Sequence, residues 1–211
     1  MFTLVDRILD QLPLDVFSDV ELIHLIQNTD AARYNQVKRA LADGEIIKIR
    51  RGLYCLAERY RRAPLNLHDV AQKIYGPSYV SFESALSFHQ LIPEAVYGVT
   101  CASFKRSKEF KTSLGVFTYT QVPRPAFPVG IQRIEEGRAV FLMATPLKAL
   151  ADLVYTNRLD WLGLEPLVES LRIEREDLKF KLNDLAIIQE AYCHSLRVTR
   201  FLDGIKKDLE L

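Results

Sequence analysis

The sequence predicts an α+β protein with two domains, residues 1–62 and 63–211. Apolar residues recur at helical spacing near both ends of the chain, and short alternating stretches such as residues 116–122 predict strands between them. The net charge also changes along the chain, from −5 over residues 1–30 to +6 over residues 31–62 and zero beyond. We therefore expect a small domain of helices and one hairpin, then a mixed α+β domain that ends in several helices.

Two helices are predicted in the acidic first part of the chain. An apolar stripe predicts the first over residues 2–11, and Pro13 ends it. Ser18 and Glu21 have the spacing of a capping box, which predicts a second helix from there to about residue 27. Its buried face is expected to hold Val20, Ile23 and Ile26 or their neighbours.

A third helix is predicted over residues 31–42. Asp30 is its expected N-cap, and Asp43-Gly44 ends it. Its expected core-facing residues are Tyr34, Val37 and Leu41. The opposite face is polar and basic and carries Arg33, Asn35, Gln36, Lys38 and Arg39.

A β-hairpin is predicted directly after this helix. Residues 46–50 alternate, with Ile47 and Ile49 on one face and Lys48 and Arg50 on the other. Arg51-Gly52 has the length and the glycine for a two-residue turn, after which residues 53–56 return. The polar, basic segment 57–64 ends in a proline and is predicted to link the two domains.

A helix with a basic face followed by a hairpin with a basic tip is the layout of a winged helix-turn-helix. Such a helix enters the major groove, and the wing reaches the neighbouring backbone, so double-stranded operator DNA is the predicted partner. The alternative is an ordinary charged hairpin edge, but the +6 net charge of residues 31–62 favours DNA. The predicted contacts are Arg33, Asn35, Gln36, Lys38 and Arg39 from the helix and Lys48, Arg50 and Arg51 from the wing.

The second domain mixes helices and strands. Helices are predicted near residues 67–74 and 82–90, the latter capped by Ser81. Strands are predicted at residues 79–81, 99–104, 116–122, 131–135 and 138–144. Thr145-Pro146 predicts the start of another helix, and the pattern is helical from Trp161 onward.

Composition excludes several classes of protein. No segment approaches the roughly 20 apolar residues of a membrane span, and the acidic first helix is unlike a signal peptide. Cys55, Cys101 and Cys193 form no CxxC pair, which is typical of reduced thiols in a cytoplasmic protein. The four histidines have no metal-ligand spacing, and glycine-rich phosphate loops are absent, so no cofactor is predicted.

The sequence predicts that the protein is not an enzyme. Ser81 and Ser84 have no base placed by spacing, and helix capping is the simpler explanation for Ser81. The alternative is a metal-dependent nuclease in which carboxylates hold a divalent ion near Lys148. Its candidate ligands are Glu83, Glu109 and Asp152, but no spacing singles them out.

Three segments resemble the AbiEi family of antitoxins, the regulatory half of type IV (abortive-infection AbiE) toxin–antitoxin systems. They are IIKIRRGLYCL, YGPSYVSFESALSFHQLIPEAVYGVT and ATPLKALADLVY, and the resemblance extends to about Tyr155. It places Arg50, Arg51 and Tyr54 on the family's wing. It places Tyr79, Ser81, Ser84 and Ala85 on the signature of the family's second domain.

The resemblance implies a winged domain that represses its own operon and a C-terminal domain that opposes a nucleotidyltransferase-like toxin, often without a stable complex. Stand-alone regulators without a toxin are an open alternative, as is an interaction protein whose winged domain binds protein. The second domain could also dimerise the first, and a homodimer would span two DNA half-sites. Lys105, Arg106 and Lys108 are expected to form a solvated turn, or alternatively a second phosphate contact or toxin-facing patch.

Overall fold

A computed structural model describes residues 3–93 and 97–210 of the chain. The predicted α+β class is confirmed, with 44% helix and 21% strand. The chain forms two compact units: the first ends at Ile74 and includes Lys111–Leu114, and the second comprises Tyr75–Phe110 and the chain from Gly115 onward. In the described ranges, no helix is both long enough and apolar enough to cross a membrane.

The described part of the first unit contains four α-helices and a small antiparallel sheet. In chain order its elements are α1 (Leu4–Gln11), β1 (Val16–Ser18), α2 (Asp19–Leu25), α3 (Asp30–Ala42), β2 (Ile46–Arg50), β3 (Leu53–Leu56) and α4 (Leu67–Ile74). The strand order is β1-β3-β2, so β3 is central. Residues from α1, α2, α3 and the three-stranded sheet form one core, with Ile8, Leu22, Ile26 and Leu56 almost completely buried.

The predicted helix ends are largely present. Ser18 and Glu21 form the predicted capping box: the Ser18 hydroxyl accepts from the Glu21 amide and the Glu21 carboxylate accepts from the Ser18 amide. Asp30, however, is not the N-cap of α3. Thr29 holds that position and accepts from the Ala32 amide at 3.3 Å, while the first residue of the predicted 2–11 helix lies outside the described residues.

Two of the predicted core faces were only partly right, since Ile26, Val37 and Leu41 pack in or against the core as predicted but other members do not. Helix α2 buries Leu22 and Leu25, whereas Val20 and Ile23 are 62% and 46% exposed. The sequence of α2 offers two apolar stripes, and packing against the core selects the one that continues into Ile26. In α3, Val37 and Ala40 are buried but Tyr34 is 67% exposed.

The hairpin has the predicted strands and turn but not the predicted alternation. Ile46 and Ile49 are buried, rather than Ile47 with Ile49. A β-bulge explains the difference: Lys48 lies opposite Tyr54 and Arg50 opposite Leu53, so Ile49 is the extra residue and the period of two is broken. At the turn, Gly52 has a φ of +74°, which favours glycine.

The second unit is built on a mixed sheet with helices packed against it. In chain order its elements are β4 (Tyr79–Val80), α5 (Phe82–Phe88), β5 (Gly98–Ser103), β6 (Lys108–Thr112, with Lys108–Phe110 in this unit), β7 (Gly115–Gln121), β8 (Ile131–Glu136), β9 (Ala139–Ala144), α6 (Pro146–Thr156), α7 (Glu165–Leu171), α8 (Leu182–Ala191) and α9 (Leu196–Asp208). The strand order is β6-β7-β5-β4-β9-β8. Strand β4 pairs antiparallel with β5 and parallel with β9, and β5 pairs parallel with β7.

Most predicted elements of the second unit are present, with three differences, the first being that the helical pattern predicted from Trp161 onward is interrupted between Leu171 and Leu182. Thr145 caps α6 with Pro146 at its first turn, as predicted. Ser81 occupies the N-cap position of α5 but makes no capping hydrogen bond. Lys108 begins the strand β6, which the sequence did not predict because its charged residues hide the alternation. Residues 94–96 of the second resembling segment lie outside the described residues.

Arg62 ties the predicted linker to the body of the first unit. Its guanidinium forms an ion pair with Asp15 at 2.6 Å and donates to the carbonyl oxygens of Leu9 and Leu12 near the end of α1. Its backbone amide donates to the other oxygen of Asp15 at 2.9 Å. Because the Arg62 guanidinium provides hydrogen bonds to carbonyls at a helix end, Arg62 is a structural residue of the first unit. Arg62 and its three partners all lie within the predicted first domain, residues 1–62.

Replacing Arg62 with alanine should destabilise the first unit by about 2 kcal/mol or more, because it removes charge-assisted hydrogen bonds and leaves the Asp15 carboxylate largely buried without its cation. Hydrogen exchange measured by mass spectrometry should show faster exchange in α1 and β1. Arg33→Ala is the control, since its partner Asp30 is 94% exposed and such pairs contribute less than about 1 kcal/mol. Equal protection in both variants would contradict this role for Arg62.

Candidate nucleic-acid interface

Helix α3 presents a continuous exposed face. Tyr34, Asn35, Lys38 and Arg39 are exposed on it, whereas Arg33 and Gln36 are only partly exposed. The latter two flank Val37 and Ala40, which face the core. Of the five helix residues predicted to contact DNA, three therefore point outward fully, and Tyr34 joins them.

Five of the eight predicted contact residues line two depressions on the first unit. A groove of about 520 Å³ lies between α2, α3 and the hairpin, and Arg33, Lys48 and Arg51 line it. Tyr34 and Ile23 line the same groove and give it an exposed apolar side. Gln36 and Arg39 line a second depression of about 440 Å³ beside Arg7. The sequence did not indicate Tyr34 as a surface residue, because its spacing also fits the core stripe.

Several cations in the basic segment are held by the protein itself. Arg33 pairs with Asp30 at 2.6 Å, and the Arg50 guanidinium donates to the Arg51 carbonyl at 2.8 Å. Arg61 donates to the Leu56 carbonyl at 2.8 Å, and Arg62 is held as described above. Because Asp30 and Asp15 neutralise Arg33 and Arg62, the net charge of +6 overstates the charge that this surface offers to a phosphate backbone.

The turn of the hairpin is fixed by α2. The Asp19 amide donates to the Gly52 carbonyl at 3.1 Å. A Cβ at Gly52 would lie 3.0 Å from the Asp19 carboxylate, so the turn and α2 approach closely. Burial raises the pKa of Tyr54, and the charge of Asp19 and a hydrogen bond to it raise that pKa further. These contacts set the position of the hairpin turn relative to α2.

A second group of polar residues lies completely inside the second unit. Lys148 and Asp152, one turn apart on α6, are both 0% exposed. Around them lie Tyr79 from β4, Ser81 before α5 and Tyr192 at the end of α8, all buried. We call these five residues the Lys148–Asp152 cluster.

The hydrogen bonds of the Lys148–Asp152 cluster form a closed set. The Lys148 ammonium donates to Asp152, to the Tyr79 hydroxyl at 2.7 Å and to the Tyr192 hydroxyl at 3.3 Å. One Asp152 oxygen accepts from Lys148 and Tyr192, and the other accepts from Tyr79 at 2.9 Å and Ser81 at 2.7 Å. The three ammonium donors and the four lone-pair positions of the carboxylate are all used.

Burial shifts the titration of the cluster. It lowers the pKa of Lys148, and the Asp152 carboxylate opposes that change. It raises the pKa values of Tyr79 and Tyr192 well above their ordinary value, and the nearby negative charge of Asp152 raises them further. Both phenols therefore remain donors over the physiological pH range.

The proposed nuclease ligands do not form one group. Glu83 is half-buried, Glu109 is exposed and Asp152 is enclosed by its four hydrogen bonds. Across residues 3–93 and 97–210, no three His, Cys, Asp or Glu side chains are placed to hold a metal ion. The sequence contained a signal for the actual arrangement, because Lys148 and Asp152 are charged residues at i and i+4 in an otherwise apolar helix.

The chain matches no known family model, and no curated protein matches it significantly.

Replacing Lys148 with methionine should lower the free energy of unfolding of the second unit by about 3–5 kcal/mol, because it leaves a buried carboxylate without its cation. Tyr192→Phe should cost less, about 1–3 kcal/mol, since it removes one hydroxyl. Urea denaturation followed by fluorescence of Trp161 reports on this unit, as the chain has one tryptophan and it packs near Phe201. The control is Lys181→Met at an exposed site, and a Lys148→Met effect no larger than the control's would contradict a buried pair.

Proposed function

We propose that the protein is a DNA-binding transcriptional regulator whose first unit is a winged helix-turn-helix. The observation that carries this proposal is the element order α1-β1-α2-α3-β2-β3 with a β1-β3-β2 sheet. In that arrangement α3 is the recognition helix and the β2–β3 hairpin is the wing. The exposed polar face of α3 supports the assignment, since Asn and Arg side chains can pair bidentately with adenine and guanine edges.

The two grooves beside α3 define roles for the individual residues. Lys48 and Arg51 are exposed at the wing and are suited to phosphate contacts, which position the protein without reading sequence. Asn35, Lys38 and Arg39 lie on the outward face and are suited to base edges. Tyr34 adds an aromatic surface there, which suits apolar contact with a thymine methyl group.

We further propose that the protein is the antitoxin of a type IV toxin–antitoxin system, repressing its own operon and opposing a nucleotidyltransferase-like toxin without requiring a stable complex. The resemblance to AbiEi antitoxins supports this. Two of the resembling segments supply the whole Lys148–Asp152 pair and its partners Tyr79 and Ser81. The two segments therefore meet in the buried Lys148–Asp152 cluster of the second unit.

The alternatives differ in what the second unit does. A stand-alone regulator would use the same DNA contacts but have no toxin partner. A metal-dependent nuclease is disfavoured because the oxygens of Asp152 are already saturated by hydrogen bonds. The proposal accordingly assigns no catalytic step to this chain.

Lys48→Glu combined with Arg51→Glu should weaken binding to the promoter for every sequence tested and flatten its salt dependence. Two lost phosphate contacts should reduce the slope of log K against log salt by about 1.8. Titration of a labelled promoter duplex at several salt concentrations measures both quantities. The matched control is Lys179→Glu with Lys181→Glu, two exposed lysines of the second unit. Unchanged affinity and slope in the Lys48/Arg51 variant would contradict the wing assignment.

The same full-length Lys48/Arg51 variant should still protect cells from the cognate toxin, because opposition to the toxin is assigned to the second unit. The toxin to test is a nucleotidyltransferase-like protein encoded by the adjoining gene, expressed from a foreign promoter. Growth rescue is the measurement, and Lys148→Met, which destabilises the second unit, should rescue poorly. Failure of the folded Lys48/Arg51 variant to rescue would remove the antitoxin assignment and leave a transcriptional regulator.

A further inference from the structure

A groove on the second unit combines aromatic, amide and cationic side chains. It has a volume of about 380 Å³ and is lined by Phe104, Gln121, Val122, Pro123, Arg124 and Tyr155. The Arg124 guanidinium lies over the Phe104 ring, with its central carbon 4.8 Å from the ring centroid. Phe127 packs edge-on against Phe104 at 5.0 Å and supports that ring from within the protein.

A row of lysine and arginine side chains continues from this groove. Lys105 and Arg106 directly follow Phe104, and Lys108 begins β6; all three are exposed. The ammonium groups of Lys105 and Lys108 each lie 5.6 Å from the centroid of the Tyr75 ring. The Tyr75 hydroxyl donates to the Arg106 carbonyl at 3.1 Å, which fixes the segment that carries the cations.

This surface differs chemically from the face proposed for duplex DNA. Helix α3 offers extended polar side chains, whereas this groove offers half-buried aromatic rings and a guanidinium already stacked on one of them. Unpaired bases stack on aromatic rings and on guanidinium planes, while bases within a duplex cannot reach them. The Gln121 side chain at the groove is of a type that hydrogen-bonds base edges.

We propose that this groove binds single-stranded nucleic acid. A base stacks at Phe104, Arg124 and Tyr155, and the neighbouring phosphates are held by Lys105, Arg106 and Lys108. The second unit has a net charge of −1, so the affinity comes from this local cluster and from stacking. RNA and single-stranded DNA share the chemistry that the groove recognises. The inference does not depend on the duplex-binding role of the first unit.

The test uses the full-length protein and labelled 12-nucleotide oligo-U and oligo-dT, which form no duplex. Phe104→Leu with Arg124→Gln should weaken binding at least about tenfold, in keeping with the usual contribution of stacking. Lys105→Gln, Arg106→Gln and Lys108→Gln together should lower the salt slope by about 2, at about 0.7 per phosphate contact. The matched control neutralises three exposed cations elsewhere on the same unit, Lys179, Lys181 and Arg200.

Further experiments distinguish binding at this groove from binding at the first unit, and single-stranded nucleic acid from other ligands. The Lys48→Glu, Arg51→Glu variant should bind both oligonucleotides normally while losing the promoter duplex, so the two proposals can fail independently. Tighter binding of oligo-U than of oligo-dT would assign RNA as the ligand, and the reverse order would assign DNA. The proposal would be overturned if an abasic phosphodiester chain bound as tightly as the oligonucleotides, or if polyglutamate displaced the oligonucleotides as well as unlabelled oligonucleotide does. It would also be overturned if the groove variants bound the oligonucleotides like the unmodified protein.

Discussion

The buried pair of Lys148 and Asp152 constrains the whole second unit. Two charges removed from water are tolerated only where neighbouring groups complete their hydrogen bonds, and here six hydrogen bonds within the cluster do so. Their partners come from β4, from the residue before α5 and from the end of α8. Since a shift of any of these elements would leave a buried charge unsatisfied, we infer that the pair fixes their arrangement.

The first unit follows the same rule on a smaller scale. Arg62 binds Asp15 and the carbonyls at the end of α1, although it is far from all of them in sequence. A basic residue counted toward a nucleic-acid surface is thus used to hold the fold together. The charge that remains on the outside is arranged around α3 and the hairpin, and this arrangement supports the DNA-binding proposal more strongly than the total charge does.

The two proposed nucleic-acid surfaces depend on different physical interactions. The face around α3 suits a duplex, since its polar side chains project from a helix that fits the major groove. The groove at Phe104 suits unpaired bases, since stacking requires that the base face be free. A regulator with both surfaces would respond to whether a nucleic acid is paired or single-stranded as well as to its sequence.

The sequence by itself determined the features that depend on near neighbours. The Ser18–Glu21 capping box, the Thr145-Pro146 helix start, the Arg51-Gly52 turn and most element positions follow from residues within about four positions of one another. Tertiary structure decided which stripe of α2 is buried, the bulge at Ile49, the exposure of Tyr34 and the meeting of Lys148 with Tyr79 and Tyr192. Those outcomes depend on packing and hydrogen bonds between residues distant in the chain, which no local pattern encodes.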